Sequence, residues 1–140
     1  MTRPKPPARR TVLVVEDEQP VQQLVADLLE DEGYHVMVAS DGAQGLALAQ
    51  AERPDLVVTD LMMPVMTGVE LCRRLKSNER TRQVPIVVMS AAGASQARGL
   101  GADAFLAKPF DLEALLALVV SYVGPGYGPG AVSAQSPSPP

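Results

Sequence analysis

The sequence has little of what would place a protein in a membrane or outside the cell. It contains one cysteine, Cys72, which excludes an internal disulfide and makes the cytoplasm the expected location. No apolar run approaches the roughly 18 residues that cross a bilayer, and no apolar signal core follows the first methionine. Membrane insertion is therefore not expected, and we interpret Cys72 as a quiet core thiol, since free cysteines are often buried.

Basic residues are scarce beyond the N-terminus. The first ten residues carry four bases and no acid, whereas the remainder carries 8 bases against 16 acids. An acidic body lacks the clustered basic face that is typical of nucleic-acid-binding domains, so no direct contact with nucleic acid is expected. Residues 1–10 also hold three prolines and are predicted to form a disordered basic lead.

The C-terminal segment is poor in residues that build a core. Nine of the seventeen residues in 124–140 are glycine or proline, which predicts a disordered tail or linker. The segment is either a natural end or the first part of a connection to another domain. Residues 11–123 are then expected to form one folded domain, and a chain of this length buries about two thirds of its unfolded surface.

Between these flanks, short apolar runs alternate with helical patterns. Apolar residues recur at helical spacing after Pro20 and after Asp111, a good N-cap, and further helices are expected at about 42–52 and 67–78. The alternation predicts an α/β fold with a doubly wound, five-stranded parallel sheet in the order 2-1-3-4-5. The predicted strands are Thr11–Val15, Val36–Ala39, Leu56–Thr59, Ile86–Met89 and Ala104–Ala107.

Chemically active side chains stand at the carboxyl ends of four of these strands, where doubly wound sheets bind ligands. They are the acids Glu16, Asp17 and Glu18 after strand 1, Asp60 at strand 3, Ser90 at strand 4, and Lys108 after strand 5.

Clustered carboxylates require a counter-charge. Two unit charges about 4 Å apart repel by about 4 kcal/mol at an effective dielectric of about 20, and a hard divalent cation such as Mg²⁺ relieves that repulsion. We interpret Glu18 as a helix-start charge and not as a ligand. Lys108 adds a compact point charge. A cation, an ammonium and a hydroxyl around Asp60 form a receptor for a phosphoryl group, with Asp60 as the nucleophile.

The motifs VLVVEDE, VVTDLMMPVMTG, PIVVMSA and GADAFLAKPF, in this order, resemble the receiver domain of two-component response regulators. The resemblance covers about Thr11–Val123 and is closest to the single-domain, chemotaxis-regulator-like receivers, which have a flavodoxin-like (βα)5 fold. It implies that Asp60 accepts a phosphoryl group from a phosphohistidine on a sensor histidine kinase or a histidine phosphotransfer protein. Phosphorylation would then switch contacts with a downstream protein.

The resemblance also implies a ligand set for Mg²⁺. Asp17, Asp60 and the backbone carbonyl of Met62 would bind the ion, and Glu16 would bind it through water. By the same resemblance, Ser90 and Lys108 would bind phosphoryl oxygens.

The switch elements follow from the same resemblance. Ser90 would move toward the phosphoryl group, and Phe105 would follow as the switch aromatic. The bond between Lys108 and Pro109 would be cis, a form accessible to X-Pro bonds at modest cost.

Two departures from the family pattern have consequences. Only 18 positions separate Ser90 from Lys108, and Ala91–Gly101 holds three glycines, each of which weakens a helix by about 1 kcal/mol. The fourth of the five helices is therefore expected to be short, frayed or absent. Met62 and Ala92 flank the site without a polar group to steer water, so we expect slow self-dephosphorylation and no other enzymatic activity.

Other classes fit the sequence less well. A phosphatase of the dehalogenase type needs a second acid two residues after its nucleophile, where this chain has Met62. A flavin-binding domain of the same fold needs a hydroxyl-rich phosphate loop that is missing here. The remaining alternative is a degenerate receiver that acts as a phosphorylation-independent interaction module. The weakened fourth helix favours it, whereas the complete set of phosphorylation residues argues against it.

Overall fold

The computed structural model describes residues 9–91, 99 and 101–126, and these form a parallel sheet with helices on both faces. The strand order is β2-β1-β3-β4-β5 and every neighbouring pair is parallel, which confirms the predicted fold class and order. The elements in chain order are β1 Thr11–Val15, α1 Gln19–Asp31, β2 His35–Ala39, α2 Gly42–Glu52, β3 Leu56–Asp60, α3 Gly68–Lys76, β4 Ile86–Ser90, β5 Ala104–Ala107 and α4 Leu112–Val123.

The central strands show no alternation of polar and apolar residues because both faces of the sheet are covered. Every residue of β3 and β4 is buried, and in β1 only Thr11 is partly exposed. Leu13, Val57 and Ile86 point to a core cluster shared with α2 and α3, whereas Val12 and Val58 point to a second cluster shared with α1 and α4. Two cores on one sheet make the sheet a rigid platform for its loops.

Side-chain caps begin three of the helices close to the carboxyl ends of the strands. Each capping oxygen accepts a hydrogen bond from a backbone N–H of the first turn, which is the usual role of these residue types. α1 instead has proline in its first turn, and Gly33, with φ of 98°, follows its end. The caps are Asp41 for α2, Thr67 for α3 and Asp111 for α4, the last as predicted.

None of the helices in the described ranges has the length and apolar character that a bilayer crossing requires.

Cys72 lies on α3 inside the core cluster that faces α2. Its side chain is completely buried, and that burial raises the pKa of the thiol to about 11. The thiol is therefore neutral at physiological pH and inaccessible, as expected for a structural cysteine.

The two ends of the described domain meet at the amino edge of the sheet. Arg10 donates its backbone N–H to the Gly126 carbonyl at 2.9 Å, and the Tyr34 hydroxyl donates to the Gly124 carbonyl at 2.5 Å. The packed chain thus extends from Arg10 to Gly126, slightly past the predicted bounds at Thr11 and Val123. Residues 1–8 of the predicted lead, residues 127–140 of the predicted tail, and most of the segment in which the fourth helix was expected to be short, frayed or absent lie outside the described residues.

Candidate functional site

The tip of β1 is held on both sides by polar contacts. Glu16 is fully buried, its N–H donates to the Ala39 carbonyl at 3.0 Å, and its own carbonyl accepts from the Gln22 amide at 2.9 Å. The Glu16 side chain accepts a hydrogen bond from the backbone N–H of Glu18 at 3.1 Å. These bonds fix the position of Glu16, the first carboxylate of the cluster.

The phosphoacceptor candidate Asp60 is the last residue of β3 and is 5% exposed. Its side chain accepts a hydrogen bond from the Met62 N–H at 3.3 Å, so the loop after β3 turns back over the carboxylate. Gly68 begins α3 directly against the carbonyl of Asp60, and a Cβ at Gly68 would overlap that oxygen. The close approach of α3 to the strand end therefore depends on glycine.

Lys108 brings a cation from β5 to these carboxylates. Its backbone N–H donates to the Ser90 carbonyl at 2.9 Å, and the bond to Pro109 is cis. The Lys108 Nζ lies 2.8 Å from Glu16 Oε1 and 3.3 Å from Asp60 Oδ2. A single ammonium thus joins the tips of β1 and β3 across the sheet.

The carboxylates of Glu16, Asp17 and Asp60 form a compact group. One oxygen from each lies within 4.8 Å of the other two, and the Asp17 side chain is partly open to solvent. One lysine cannot neutralise three carboxylates, so the group retains excess negative charge. Hard oxygen donors with one face open to water suit Mg²⁺, which keeps several waters when it binds to proteins. The residues present therefore fit the ion.

Burial and pairing act in opposite directions on the ionisation of Glu16 and Lys108. Burial raises the pKa of Glu16, and the hydrogen bond from Lys108 offsets this only in part. Burial lowers the pKa of Lys108, but its hydrogen bond to Glu16 and the negative charge of Asp60 outweigh that effect and leave the pKa raised. Lys108 is therefore a firmly protonated cation beside Asp60 at neutral pH.

The other predicted residues lie along β4 and β5. Ser90 is fully buried at the end of β4, where it pairs with Ala107, the residue before Lys108. Phe105 pairs with Val88 and packs, partly buried, against the core cluster facing α2 and α3. Ala92 lies outside the described residues. Ser90 and Phe105 thus belong to the two neighbouring strands at whose ends Lys108 lies, and their switching roles stay predictions.

Two residues near the cluster make contacts that were not predicted from the sequence. The Glu18 carboxylate stands at the start of α1, as predicted, but also lies 3.8 Å from the Lys108 Nζ. Gln22 is buried and bonds the carbonyls of both Glu16 and Ala39. A signal for Gln22 existed, because it shares the buried face of α1 with Val25 and Leu29 at helical spacing.

His35, in contrast, stands at the exposed start of β2, at the opposite end of the strands from the carboxylates. It takes no part in the cluster, which agrees with its interpretation as a surface or edge residue.

Comparison with protein families gives one match that covers most of the chain. Residues 12–120 match the model of the response regulator receiver domain. The curated regulator RpaA of Synechocystis sp., described as a DNA-binding dual master transcriptional regulator, is 41% identical over 112 residues, which are 77% of this chain and 46% of RpaA. The chain therefore spans about half the length of that regulator.

This chain also matches solved structures of the same fold over almost the whole length of those structures. The chemotaxis response regulator CheY4 of Vibrio cholerae has a TM-score of 0.77 and 33% identity over 82% of this chain and 99% of its own. The receiver domain of the sensor histidine kinase PA1611 from Pseudomonas aeruginosa, solved with magnesium in its active-site cleft, has a TM-score of 0.78 and 30% identity, covering 84% and 99% of the two chains. Together with the convergence of acids and lysine at the carboxyl edge, these matches show that the chain belongs to the receiver-domain family of response regulators.

Proposed function

We propose that this receiver accepts a phosphoryl group on Asp60 from a phosphohistidine of a sensor histidine kinase or a histidine phosphotransfer protein. The observation that supports the proposal most strongly is the position of Lys108, whose ammonium contacts both Glu16 and Asp60. The arrangement provides a nucleophilic carboxylate beside a fixed cation, and phosphoryl transfer depends mainly on positioning and charge neutralisation.

The transfer exchanges one bond to phosphorus for another. An Asp60 carboxylate oxygen forms an O–P bond as the P–N bond of the phosphohistidine breaks, and the imidazole leaves with the electron pair of that bond. The product on this chain is an aspartyl-phosphate. From its position, Lys108 would contact an incoming phosphoryl oxygen, and the shielding of Asp60 by its strand and loop limits access of water.

The carboxylates of Glu16, Asp17 and Asp60, with the Met62 carbonyl, are the groups that would hold Mg²⁺. The ion would neutralise charge on the transferred group. The resemblance to the family assigns Glu16 a contribution through water, and in the structure Glu16 is fully buried and paired with Lys108.

Phosphorylation would act on a switch that already exists in the domain. It adds about 1.5 to 2 negative charges at Asp60, which favours a form in which Ser90 approaches the phosphoryl group and Phe105 moves with it. We propose that the output is a change in protein–protein contacts in the cytoplasm, without direct contact to nucleic acid and without membrane insertion.

Phosphorylation by a small donor tests the proposal. Wild type, Asp60→Asn and the control Asp55→Asn are incubated with Mg²⁺ and a small-molecule phosphodonor, and intact masses are measured. Wild type and Asp55→Asn are expected to gain one phosphoryl group, and Asp60→Asn none. A wild type that gains nothing would favour the degenerate receiver, which works as an interaction module without phosphorylation.

The aspartyl-phosphate should be long-lived, and the protein should have no enzymatic activity beyond slow self-dephosphorylation. The Met62 side chain is 62% exposed beside Asp60 and has no group that orients an attacking water. Met62→Asn should shorten the phosphoryl lifetime several-fold, whereas Met63→Leu, changed at the next position, should leave it unaltered. The decay of the phosphorylated mass after removal of the donor measures this, and decay of wild type within seconds would contradict it.

A further inference from the structure

The loop between β3 and α3 has one backbone anchor on a different element. Gly42, the first residue of α2, donates its N–H to the Met66 carbonyl at 3.2 Å. A Cβ at position 42 would overlap that carbonyl oxygen and would also lie 2.8 Å from the Met66 Cβ and 2.9 Å from its Cγ. The contact therefore exists in this form only because residue 42 is glycine.

This loop needs an anchor because its own contacts are few. Met62 and Val65 are 62% and 83% exposed, and Val65 has a φ of 69°, an unfavourable value for a β-branched residue. The bond from the Met66 N–H to the Pro64 carbonyl lies inside the loop. Within the described part of the chain, no other hydrogen bond between two backbone groups joins residues 62–66 to a neighbouring element.

The segment from Ala39 to Gly42 also holds the end of β1, where Glu16 of the carboxylate cluster lies. The Ala39 carbonyl accepts the N–H of Glu16 at 3.0 Å and the Gln22 amide at 3.1 Å. The turn itself is fixed by reciprocal bonds, because Gln44 donates its N–H to Asp41 and accepts from the Ser40 N–H, both at 2.9 Å. One short segment thus sets the distance between the β1 tip and the loop after Asp60.

We propose that Gly42 is a positioning residue that sets how tightly the site holds a divalent cation. It fixes the loop that carries the Met62 carbonyl relative to Glu16 and Asp17. This inference rests on the proposed function, since it concerns the ion of the same site. Coupling between two sites is reciprocal, so Mg²⁺ must strengthen the contact between Gly42 and Met66 as much as the contact strengthens Mg²⁺ binding.

Two alanine variants in the same helix provide the first test. Gly42→Ala pushes on the Met66 backbone, whereas a Cβ at Gly45 would meet a side-chain atom of Val15 at 2.8 Å, away from the loop. The Kd for Mg²⁺ is measured by calorimetry, together with the thermal unfolding midpoint. Both variants are expected to unfold at lower temperature, but only Gly42→Ala should raise the Kd, by about tenfold, a usual size for coupling between sites.

Amide exchange in the wild-type protein provides the second test and does not depend on a variant that folds. Saturating Mg²⁺ should slow exchange of the Gly42 N–H by a factor similar to the change in Kd. The Gly45 N–H bonds to the carbonyl of Asp41, the N-cap of α2, and should change much less. If Mg²⁺ changed the exchange rate of the Gly42 N–H no more than that of the Gly45 N–H, the inference would be overturned.

The outcomes separate this inference from the proposed function. Wild type that binds no Mg²⁺ would overturn both. Suppose instead that wild type binds Mg²⁺ and takes up a phosphoryl group, and that Gly42→Ala and Gly45→Ala have the same Kd for Mg²⁺. That result would overturn only the positioning role of Gly42.

Discussion

Carboxylate side chains have different partners at the two edges of the sheet, the amino edge where the strands begin and the carboxyl edge where they end. At the amino edge, Asp55 precedes β3 and accepts the N–H of Thr11, the first residue of β1, at 2.7 Å. Asp103 precedes β5 and accepts the N–H of Ile86, the first residue of β4, at 2.8 Å. The backbone completes each pair, because the N–H of each aspartate donates to the carbonyl of the same partner residue at 2.8 Å. At the carboxyl edge, the carboxylates of Glu16, Asp17 and Asp60 face one another and Lys108.

The difference shows when a carboxylate at the end of a strand is structural. A backbone N–H is a neutral donor that the sheet itself holds in place, so Asp55 and Asp103 lock the start of one strand to its neighbour. Three carboxylates repel one another, and Lys108 offsets only part of that repulsion, so a further cation is needed to neutralise the group. The carboxyl edge thus gives up stability for the capacity to bind, as functional sites often do.

The largest expected effect concerns the affinity for Mg²⁺. Asp17→Asn removes a charged oxygen donor from the cluster and should raise the Kd for Mg²⁺ more than tenfold. Asp55→Asn, the same chemical change at the amino edge, should leave it unchanged. Calorimetric titration of both variants measures this, and equal affinities would show that the two edges do not differ in the way described.

The next effect concerns the free energy of unfolding without Mg²⁺, and its sign should differ between the edges. Asp60→Asn removes repulsion from two carboxylates at the loss of one contact to Lys108, and should stabilise the protein by about 1 kcal/mol. Asp55→Asn weakens a charge-assisted hydrogen bond and should destabilise it by about 1 kcal/mol. Urea unfolding in the presence of a chelator measures both, and the same sign at both positions would contradict the comparison. Added Mg²⁺ should stabilise wild type more than Asp60→Asn.

The smallest effect concerns the two positive-φ residues other than glycine in the described part of the chain, one toward each edge. Val65 in the loop after Asp60 has φ of 69°, and Arg53 after α2 has φ of 48°. Asparagine tolerates this region, and a branched side chain suffers most there, so Val65→Asn should stabilise the protein by about 1 kcal/mol. Arg53→Asn should give a smaller gain. Thermal unfolding of both variants measures this, and a larger gain at Arg53 would mean that the strain is not concentrated at the carboxyl edge.

The sequence predicts the elements well because their signals are local. Strands such as Thr11–Val15 and helix starts such as Asp111 are encoded by neighbouring residues, and the structure has them where the pattern predicts. The placement of Glu16, Asp17, Asp60 and Lys108 on one edge also follows, because parallel strands direct their carboxyl ends the same way.

The contacts within the site were less predictable. That Lys108 binds Glu16 more closely than Asp60 depends on side-chain positions from three strands. Helical spacing indicates that Gln22 is buried, but its bond to the Ala39 carbonyl, like the bond between Gly42 and Met66, joins different elements, and periodicity carries no information on such pairs.

What the sequence by itself determined is the order of strands and helices, and which chemical groups stand at each strand end. Periodicity and capping act over a few residues, and parallel crossovers have one hand, so these features need no further information. Only the tertiary structure decided which groups each strand-end carboxylate contacts, because these partners come from other strands. The sequence places Asp55 before the apolar run of β3 and Asp60 at its end, but the partners of each side chain come from other strands: a backbone N–H of β1 for Asp55, and two other carboxylates for Asp60.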